Sequence, residues 1–163
     1  MKNEENRIMM RYFKKCEEFA ICSEVGESNF LFPETSDERR TLYQIVVKGT
    51  GRVGKIFDSE YTELDEQNNY FVDLKKYMGT DTIFQSYNPF HIYGFNKIDN
   101  YDWDGKLVTE SFKGDDKSWL ICFKGEPTIN GVTMKTMDYA KLCDKDYKVV
   151  LNDAILGIFT KND

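Results

Sequence analysis

The chain has 163 residues, of which 40% are hydrophobic and 15% aromatic, and its net charge is −6 at pH 7. This composition suits a folded domain with a sizeable core and excludes an intrinsically disordered chain. It also argues against duplex nucleic acid as a partner, because acidic residues are interleaved with the basic ones and leave no basic face.

The N-terminal residues lack the apolar run of a signal peptide, and the chain contains no apolar stretch of about 18 residues that would predict a membrane span. The four cysteines form no C-x-x-C pair and have no histidine cluster beside them, which removes the usual zinc patterns. We therefore expect a cytoplasmic protein with reduced thiols, no membrane partner and no cofactor.

Residues 1–40 predict N-terminal strands followed by a charged loop. The alternation of Ile8, Met10 and Tyr12 favours a strand, although residues 4–19 could also form a helix. A further strand is predicted at Phe30–Phe32, where Pro33 ends it.

From Thr41 onwards the pattern is one of many short strands. Thr41–Lys48 is the clearest of them, and a short helix is the alternative at residues 56–64. A polar loop is predicted at 96–105, and the remaining strands are predicted at 70–74, 82–84, 90–95, 107–112, 118–123, 128–130, 148–151 and 154–159. This spacing predicts an all-β antiparallel sandwich or barrel with at most one or two short helices.

One strand pattern occurs twice. A strand ends in Lys-Gly at Lys48 and again at Lys124, and a Tyr-x-x-Leu step follows at Tyr61 and Tyr139. We interpret the two copies as an internal duplication in a single domain over residues 1–163. Its parts are N-terminal strands and loop at 1–40, a first repeat at 41–75, connecting strands and loop at 76–117, and a second repeat at 118–160.

The segments Ile45–Gly51 and Leu120–Gly125, the latter followed by Asn130 and Gly131, resemble the strand motifs of the cupin superfamily (RmlC-like jelly roll, double-stranded β-helix). The resemblance implies a jelly-roll barrel. Metal-dependent cupins carry a His-x-His pair and a glutamate before this strand and another histidine later. The chain has a single histidine, so the resemblance is to a cupin that lacks the metal-binding histidines, and no metal site is predicted.

Two motifs have competing interpretations. Gly49–Gly54 spells G-x-G-x-x-G after a strand, as in a phosphate cradle, but no βαβ pattern follows and the second copy lacks the glycines, which favours a turn or bulge. Asn100–Gly105 imitates the start of a calcium loop, but the twelfth position is Ser111 instead of glutamate, which favours a hairpin turn at Asp104 and Gly105.

The candidate site residues fall into two groups. His91 and Tyr93 would share one strand face, opposite Phe90 and Ile92, and could act as base and acid, since metal-independent sugar epimerases of the cupin class use a histidine and a tyrosine. The second group would bind a ligand at the barrel mouth through arginine forks and aromatic stacking, and consists of Arg39, Arg40, Tyr43 and Trp103.

Three functions remain open from the sequence. The favoured one is a metal-free, non-catalytic cupin-like domain that binds a small polar ligand, nucleotide-like or sugar-like, in its barrel. The alternatives are a metal-independent sugar-nucleotide isomerase or epimerase and a structural, oligomerising protein with a filled barrel. A small molecule and a second copy of the chain, in a homodimer, are the expected partners.

Overall fold

The computed structural model describes the backbone at residues 8–26, 30–32, 41–56 and 60–162, and the side chains at residues 14–26, 41–56 and 60–162. In these ranges the chain is built of strands, with a 3-10 helix at Leu74–Tyr77. The predicted all-β class is confirmed. No helix in the described ranges is long and apolar enough to cross a membrane.

The chain divides into two compact units, Met1–Asp99 and Asn100–Asp163. The assignment of one domain over 1–163 stays a prediction. The described strands of the first unit are β1 Ile8–Lys15, β2 Phe19–Gly26, β3 Phe30–Phe32, β4 Thr41–Lys48, β5 Gly51–Lys55, β6 Tyr61–Leu64, β7 Phe71–Asp73, β8 Thr82–Ser86 and β9 Phe90–Lys97.

Two antiparallel sheets build the first unit. The five-stranded sheet has the order β1-β2-β9-β4-β7 and the four-stranded sheet the order β3-β8-β5-β6. Side chains from both sheets form one buried cluster, because alternate residues of each strand point to the same face. Its members include Val46, Val72, Phe90 and Ile92 from the first sheet and Val53, Leu64 and Phe84 from the second. We call the side of the five-stranded sheet that carries these residues its core face.

The glycine motif after β4 is a turn that leads into the next strand. Gly49 has a φ of 93°, a left-handed conformation that glycine adopts without a Cβ penalty, and β5 begins at Gly51. The turn interpretation of the motif is therefore confirmed. In the same region the helical alternative at residues 56–64 is wrong where the structure describes it, because Tyr61–Leu64 is strand β6, paired with β5.

The second unit is also made of short antiparallel strands. They are β10 Asp102–Leu107, β11 Phe112–Lys113, β12 Ser118–Lys124, β13 Thr128–Ile129, β14 Val132–Thr133, β15 Tyr139–Lys141, β16 Asp146–Tyr147, β17 Val149–Val150 and β18 Ile155–Asn162. The largest sheet has the order β10-β18-β12-β15, and β11-β16 and β14-β13-β17 form two smaller sheets. Its buried cluster includes Leu120, Cys122, Leu156 and Ile158.

The two units repeat one strand arrangement, β2-β9-β4-β7 in the first and β10-β18-β12-β15 in the second. The Val46 N–H donates to the Tyr70 carbonyl at 2.8 Å, and the Cys122 N–H donates to the Asp138 carbonyl at 3.0 Å, so β4 and β12 have equivalent positions. Both strands run into a glycine with positive φ, 93° at Gly49 and 86° at Gly125. In this register Gln44 corresponds to Leu120.

The predicted Tyr-x-x-Leu equivalence is wrong. Tyr61–Leu64 is β6 and pairs with β5 in the smaller sheet, whereas Tyr139–Lys141 is β15 and pairs with β12. The strand equivalent to β15 is β7, because β7 pairs with β4 in the same way. The four-residue motif is too short to specify the strand with which its segment pairs, so its two occurrences are not structurally equivalent.

The predicted loop at 96–105 and the predicted strand at 107–112 are also misplaced. Strand β10 covers Asp102–Leu107, and Asp104 and Gly105 pair with Thr160 and Phe159 of β18 instead of forming a hairpin turn. Trp103 is buried between exposed Asp102 and Asp104, which is the alternation of a strand with one face on the core and the other in solvent. The pairing with β18 therefore overrides the turn preference of the Asp-Gly pair.

Candidate ligand-binding site

A cavity of about 330 Å³ lies within the second unit, between β10, β11 and the ends of β12 and β18. Its volume is in the range of small-molecule sites. Ile158 connects the lining to the buried cluster, and the rest of the wall is mostly polar. The lining residues used below are Lys106, Glu110, Phe112, Asp115, Ser118 and Thr160.

A chain of hydroxyl hydrogen bonds crosses the cavity floor. Ser118 is 1% exposed, and its Oγ donates to Asp115 Oδ1 at 2.8 Å and lies 2.7 Å from Thr160 Oγ1. The position of both hydroxyls follows from the strand register, in which Ser118 pairs directly with Thr160. Asp115 Oδ1 also accepts the Lys117 N–H at 2.8 Å, which holds the carboxylate in place. The floor is thus a rigid row of oxygen atoms.

The charges around the cavity are mixed in sign. Lys106 and Lys113 contribute ammonium groups, whereas Glu110 and Asp115 contribute carboxylates. Lys113 Nζ is itself 3.5 Å from Asp144 Oδ1. Such a wall offers hydrogen-bond donors and acceptors together and suits a neutral polar molecule better than a multiply charged one.

The aromatic side of the cavity is formed by Phe112. Its ring stacks on that of Tyr147, with centroids 5.4 Å apart and planes inclined by 23°. Phe112 is half-buried, so one part of its surface is available to the cavity. An apolar ring beside a row of hydroxyl and carboxylate oxygens matches a ligand that has both C–H and O–H surface, as sugars have.

His91 and Tyr93 lie on the same face of β9, as predicted, with ring centroids 4.8 Å apart. This is the face opposite Phe90 and Ile92, and therefore not the core face. In the described ranges the hydrogen-bond partner of the His91 ring is Ser23, at 2.8 Å, and not a tyrosine or a carboxylate. The assignment of His91 as base and Tyr93 as acid stays a prediction. No hydrogen bond of the kind that a catalytic base makes to a tyrosine or a carboxylate is described for the His91 ring.

The predicted ligand-binding residues lie in different units or outside the described residues. Tyr43 is 3% exposed, and its ring stacks on Phe71 at 5.2 Å. Trp103 belongs to the second unit and is 0% exposed. Arg39 and Arg40 lie outside the described residues. The buried rings of Tyr43 and Trp103 have a packing role here, and ligand binding by the four residues stays a prediction.

Within the described residues, no group of three or more His, Cys, Asp and Glu side chains could hold a metal ion. None of the four cysteines, Cys16, Cys22, Cys122 and Cys143, forms a disulfide.

Neither a protein-family model nor a curated protein sequence matches the chain. Solved structures do match. HutD from Pseudomonas fluorescens SBW25 aligns over 89% of this chain and 80% of its own, with a TM-score of 0.63 and 13% identity. PA5104 of Pseudomonas aeruginosa PAO1, a conserved protein of unknown function, aligns over 96% and 88%, with a TM-score of 0.59 and 8% identity.

AerE from Microcystis aeruginosa aligns over 94% of this chain and 92% of its own, with a TM-score of 0.51 and 9% identity. At such identities the likeness concerns the fold alone. The chain has a cupin-like fold, and the resemblance based on the repeated strand motif is confirmed at that level.

Sequence reasoning missed the residues that line the cavity. Ser118 and Thr160 are separated by 42 positions and meet only through the pairing of β12 with β18. It also missed Gln44, for which a signal exists, because this side chain is the one amide inside the apolar run Leu42–Val47.

Proposed function

We propose that the chain is a metal-free, non-catalytic binding protein whose second unit holds a small, neutral, hydroxyl-bearing ligand of the sugar-like class. The observation that carries this proposal is the cavity of about 330 Å³, with the hydroxyl pair of buried Ser118 and half-buried Thr160 at its floor. Hydroxyl groups both donate and accept, so a row of them recognises the hydroxyls of a polyol without a net charge on the ligand.

The other lining residues support the same class of ligand. Lys106 and Glu110 offer a donor and an acceptor at the wall, and Phe112 offers an apolar surface for C–H groups. A nucleotide is less well supported, because the two cationic side chains of the lining are balanced by two carboxylates.

The test is a thermal-shift screen of the full chain with neutral monosaccharides, nucleotides and divalent metal ions. A sugar present at about 100 times its Kd should stabilise the fold by roughly 2.7 kcal/mol. Lys106 is exposed, so Lys106→Met does not disturb the core, and this variant should weaken the stabilisation by sugar. Ser118→Ala removes the hydroxyl at the cavity floor and should abolish the stabilisation. Ser23→Ala, which removes a hydroxyl in the first unit, is the matched control and should leave the response unchanged.

Two outcomes would contradict the proposal. One is a response to nucleotides or metal ions without a response to sugars, and the other is a sugar response that survives both cavity variants.

A structural protein is the second candidate, favoured by the aromatic packing in part of the core of the first unit. Phe84 and Phe90 pack edge to face there, with centroids 5.1 Å apart, in a cluster completed by buried Tyr77. A screen in which no compound class raises the melting temperature, together with a discrete oligomer in light scattering, would favour this role over ligand binding.

A further inference from the structure

Gln44 is a buried amide in the middle of β4. It is 1% exposed, and neither Oε1 nor Nε2 has a hydrogen-bond partner within the described residues. Nearly all buried polar groups in folded proteins are paired, because an unpaired donor or acceptor costs about 1–3 kcal/mol. Two unpaired atoms on one side chain therefore indicate a partner that is not among the described residues.

The side chain of Gln44 lies on the core face of the five-stranded sheet. It alternates with Val46, a member of the buried cluster, and its neighbours across the sheet are Val72 on β7 and Gly94 on β9. Directly opposed residues of antiparallel strands share a face. The amide is thus directed to the inside of the first unit, next to the glycine.

Further polar side chains surround Gly94. A Cβ at this position would lie 3.4 Å from Asn96 Oδ1, 3.4 Å from Thr41 Cγ2 and 2.6 Å from Cys22 Sγ. Asn96 Oδ1 is also buried and lacks a hydrogen-bond partner within the described part of the chain. The group around Gly94 consists of the amides of Gln44 and Asn96, the thiol of Cys22 and the methyl group of Thr41, none of which carries a formal charge.

The second unit shows that the fold does not require an amide at this position. Leu120 occupies the equivalent place on β12 and is 1% exposed in an apolar cluster. Gln44 is therefore a feature of the first unit and not of the repeated architecture.

We propose that Gln44 is the recognition residue of a second binding site, on the core face of the first unit, which takes a neutral planar amide or lactam group. The ligand N–H would donate to Oε1, and Nε2 would donate to the ligand carbonyl, forming a cyclic pair of hydrogen bonds. Asn96 Oδ1 can accept a further N–H. A carboxylate offers only acceptors and would leave Gln44 Oε1 unpaired, so the site excludes it.

This site differs from the proposed sugar site in its unit, its residues and its chemistry. Its test is therefore separate, and either proposal can fail without the other.

The experiment uses uracil as a lactam probe and succinate as a carboxylate probe, with side-chain amide resonances recorded on the ¹⁵N-labelled full chain. Triple-resonance spectra of the wild-type chain assign the side-chain amides of Gln44 and Asn96, and Gln44→Met, which keeps the side-chain length, is used for the affinity measurement. Uracil should shift the Gln44 and Asn96 amide signals, and succinate should not. Gln44→Met should raise the Kd for uracil about tenfold or more, because two hydrogen bonds are lost.

Leu120→Met, at the equivalent position of the second unit, is the control and should leave uracil binding unchanged. Because the wild-type spectra report on Gln44 directly, the test does not depend on the folding of the variant. Three results would each overturn the proposal. They are unchanged uracil affinity in Gln44→Met, Gln44 signals that no probe moves, and a magnetisation transfer that connects the amide to bound water only.

Discussion

Ser23 and His91 lie on paired strands β2 and β9 and join them through their side chains, with Ser23 Oγ 2.8 Å from His91 Nε2. On the other side of His91, strand β4 places Lys48 directly opposite. Burial, and then the positive charge of Lys48, lower the pKa of His91 below its usual 6.5. The folded protein thus favours a neutral imidazole at this position.

The first prediction concerns the pH dependence of stability. Between the usual pKa and the lowered pKa of His91, the unfolded chain binds a proton that the folded chain does not. The free energy of unfolding should therefore fall as the pH is lowered from about 7.5 to about 5.5. Urea denaturation at several pH values measures it, and His91→Gln, which does not titrate, should flatten the dependence. An equal slope in both proteins would contradict the prediction.

The same histidine can be observed directly. Because the chain has a single histidine, one imidazole resonance reports its titration without assignment. Its midpoint should lie below 6.5 in the native protein and return to the usual value in urea.

The positions of strands that are rich in apolar residues and end at a glycine can be predicted from the sequence. The sequence predicts Thr41–Lys48 to its last residue, because the apolar run and the following Gly49 are both local signals. Ser118–Phe123 was predicted one residue short for a similar reason. The repeated Lys-Gly end of these strands correctly indicated equivalent strands, since both occupy the same place in their sheets.

The site could not be read in the same way. The cavity depends on the pairing of Ser118 with Thr160, and the orphaned amide of Gln44 depends on which face of β4 points inward. Both are consequences of tertiary pairing, which leaves no local pattern. Trp103 is a related case, because an aromatic residue in a polar segment indicates a pocket wall, whereas the side chain is fully buried and its role in ligand binding stays a prediction.

The second prediction concerns the contact between Gly94 and Cys22. A Cβ at position 94 would lie only 2.6 Å from Cys22 Sγ, so Gly94→Ala forces the thiol or the backbone to move. We expect a loss of about 1–3 kcal/mol in the free energy of unfolding, the usual result of overpacking a core. The double variant Gly94→Ala/Cys22→Ala removes the clashing sulfur and should recover part of the loss.

Urea denaturation of the wild type, both single variants and the double variant completes the thermodynamic cycle. A favourable interaction energy between the two substitutions is expected. If their effects simply add, the clash with Cys22 is not the cause of the destabilisation.

The third prediction concerns the hydroxyl row of the second unit. Ser118→Ala removes a 1% exposed hydroxyl that contacts both Asp115 and Thr160, and should lower the free energy of unfolding by about 1–3 kcal/mol. Thr160→Ser keeps the oxygen atom that Ser118 contacts and should have a smaller effect. Urea denaturation measures both, and the reverse ranking would exclude a hydrogen-bonded Ser118.

The fourth prediction concerns the reactivity of the thiols. Cys122 is 0% exposed, and burial raises its pKa to about 11, so almost no thiolate is present near neutral pH. Cys143 is exposed. Iodoacetamide should therefore label Cys143 rapidly in the native protein and Cys122 only after unfolding, as followed by mass spectrometry of the digested chain. A Cys143→Ser variant identifies the rapid phase, which should disappear.

The thiol of Cys122 is buried in the cluster that contains Leu120 and Leu156. Labelling of native Cys122 at the rate of Cys143 would contradict the prediction, because it would show that the core of the second unit opens frequently.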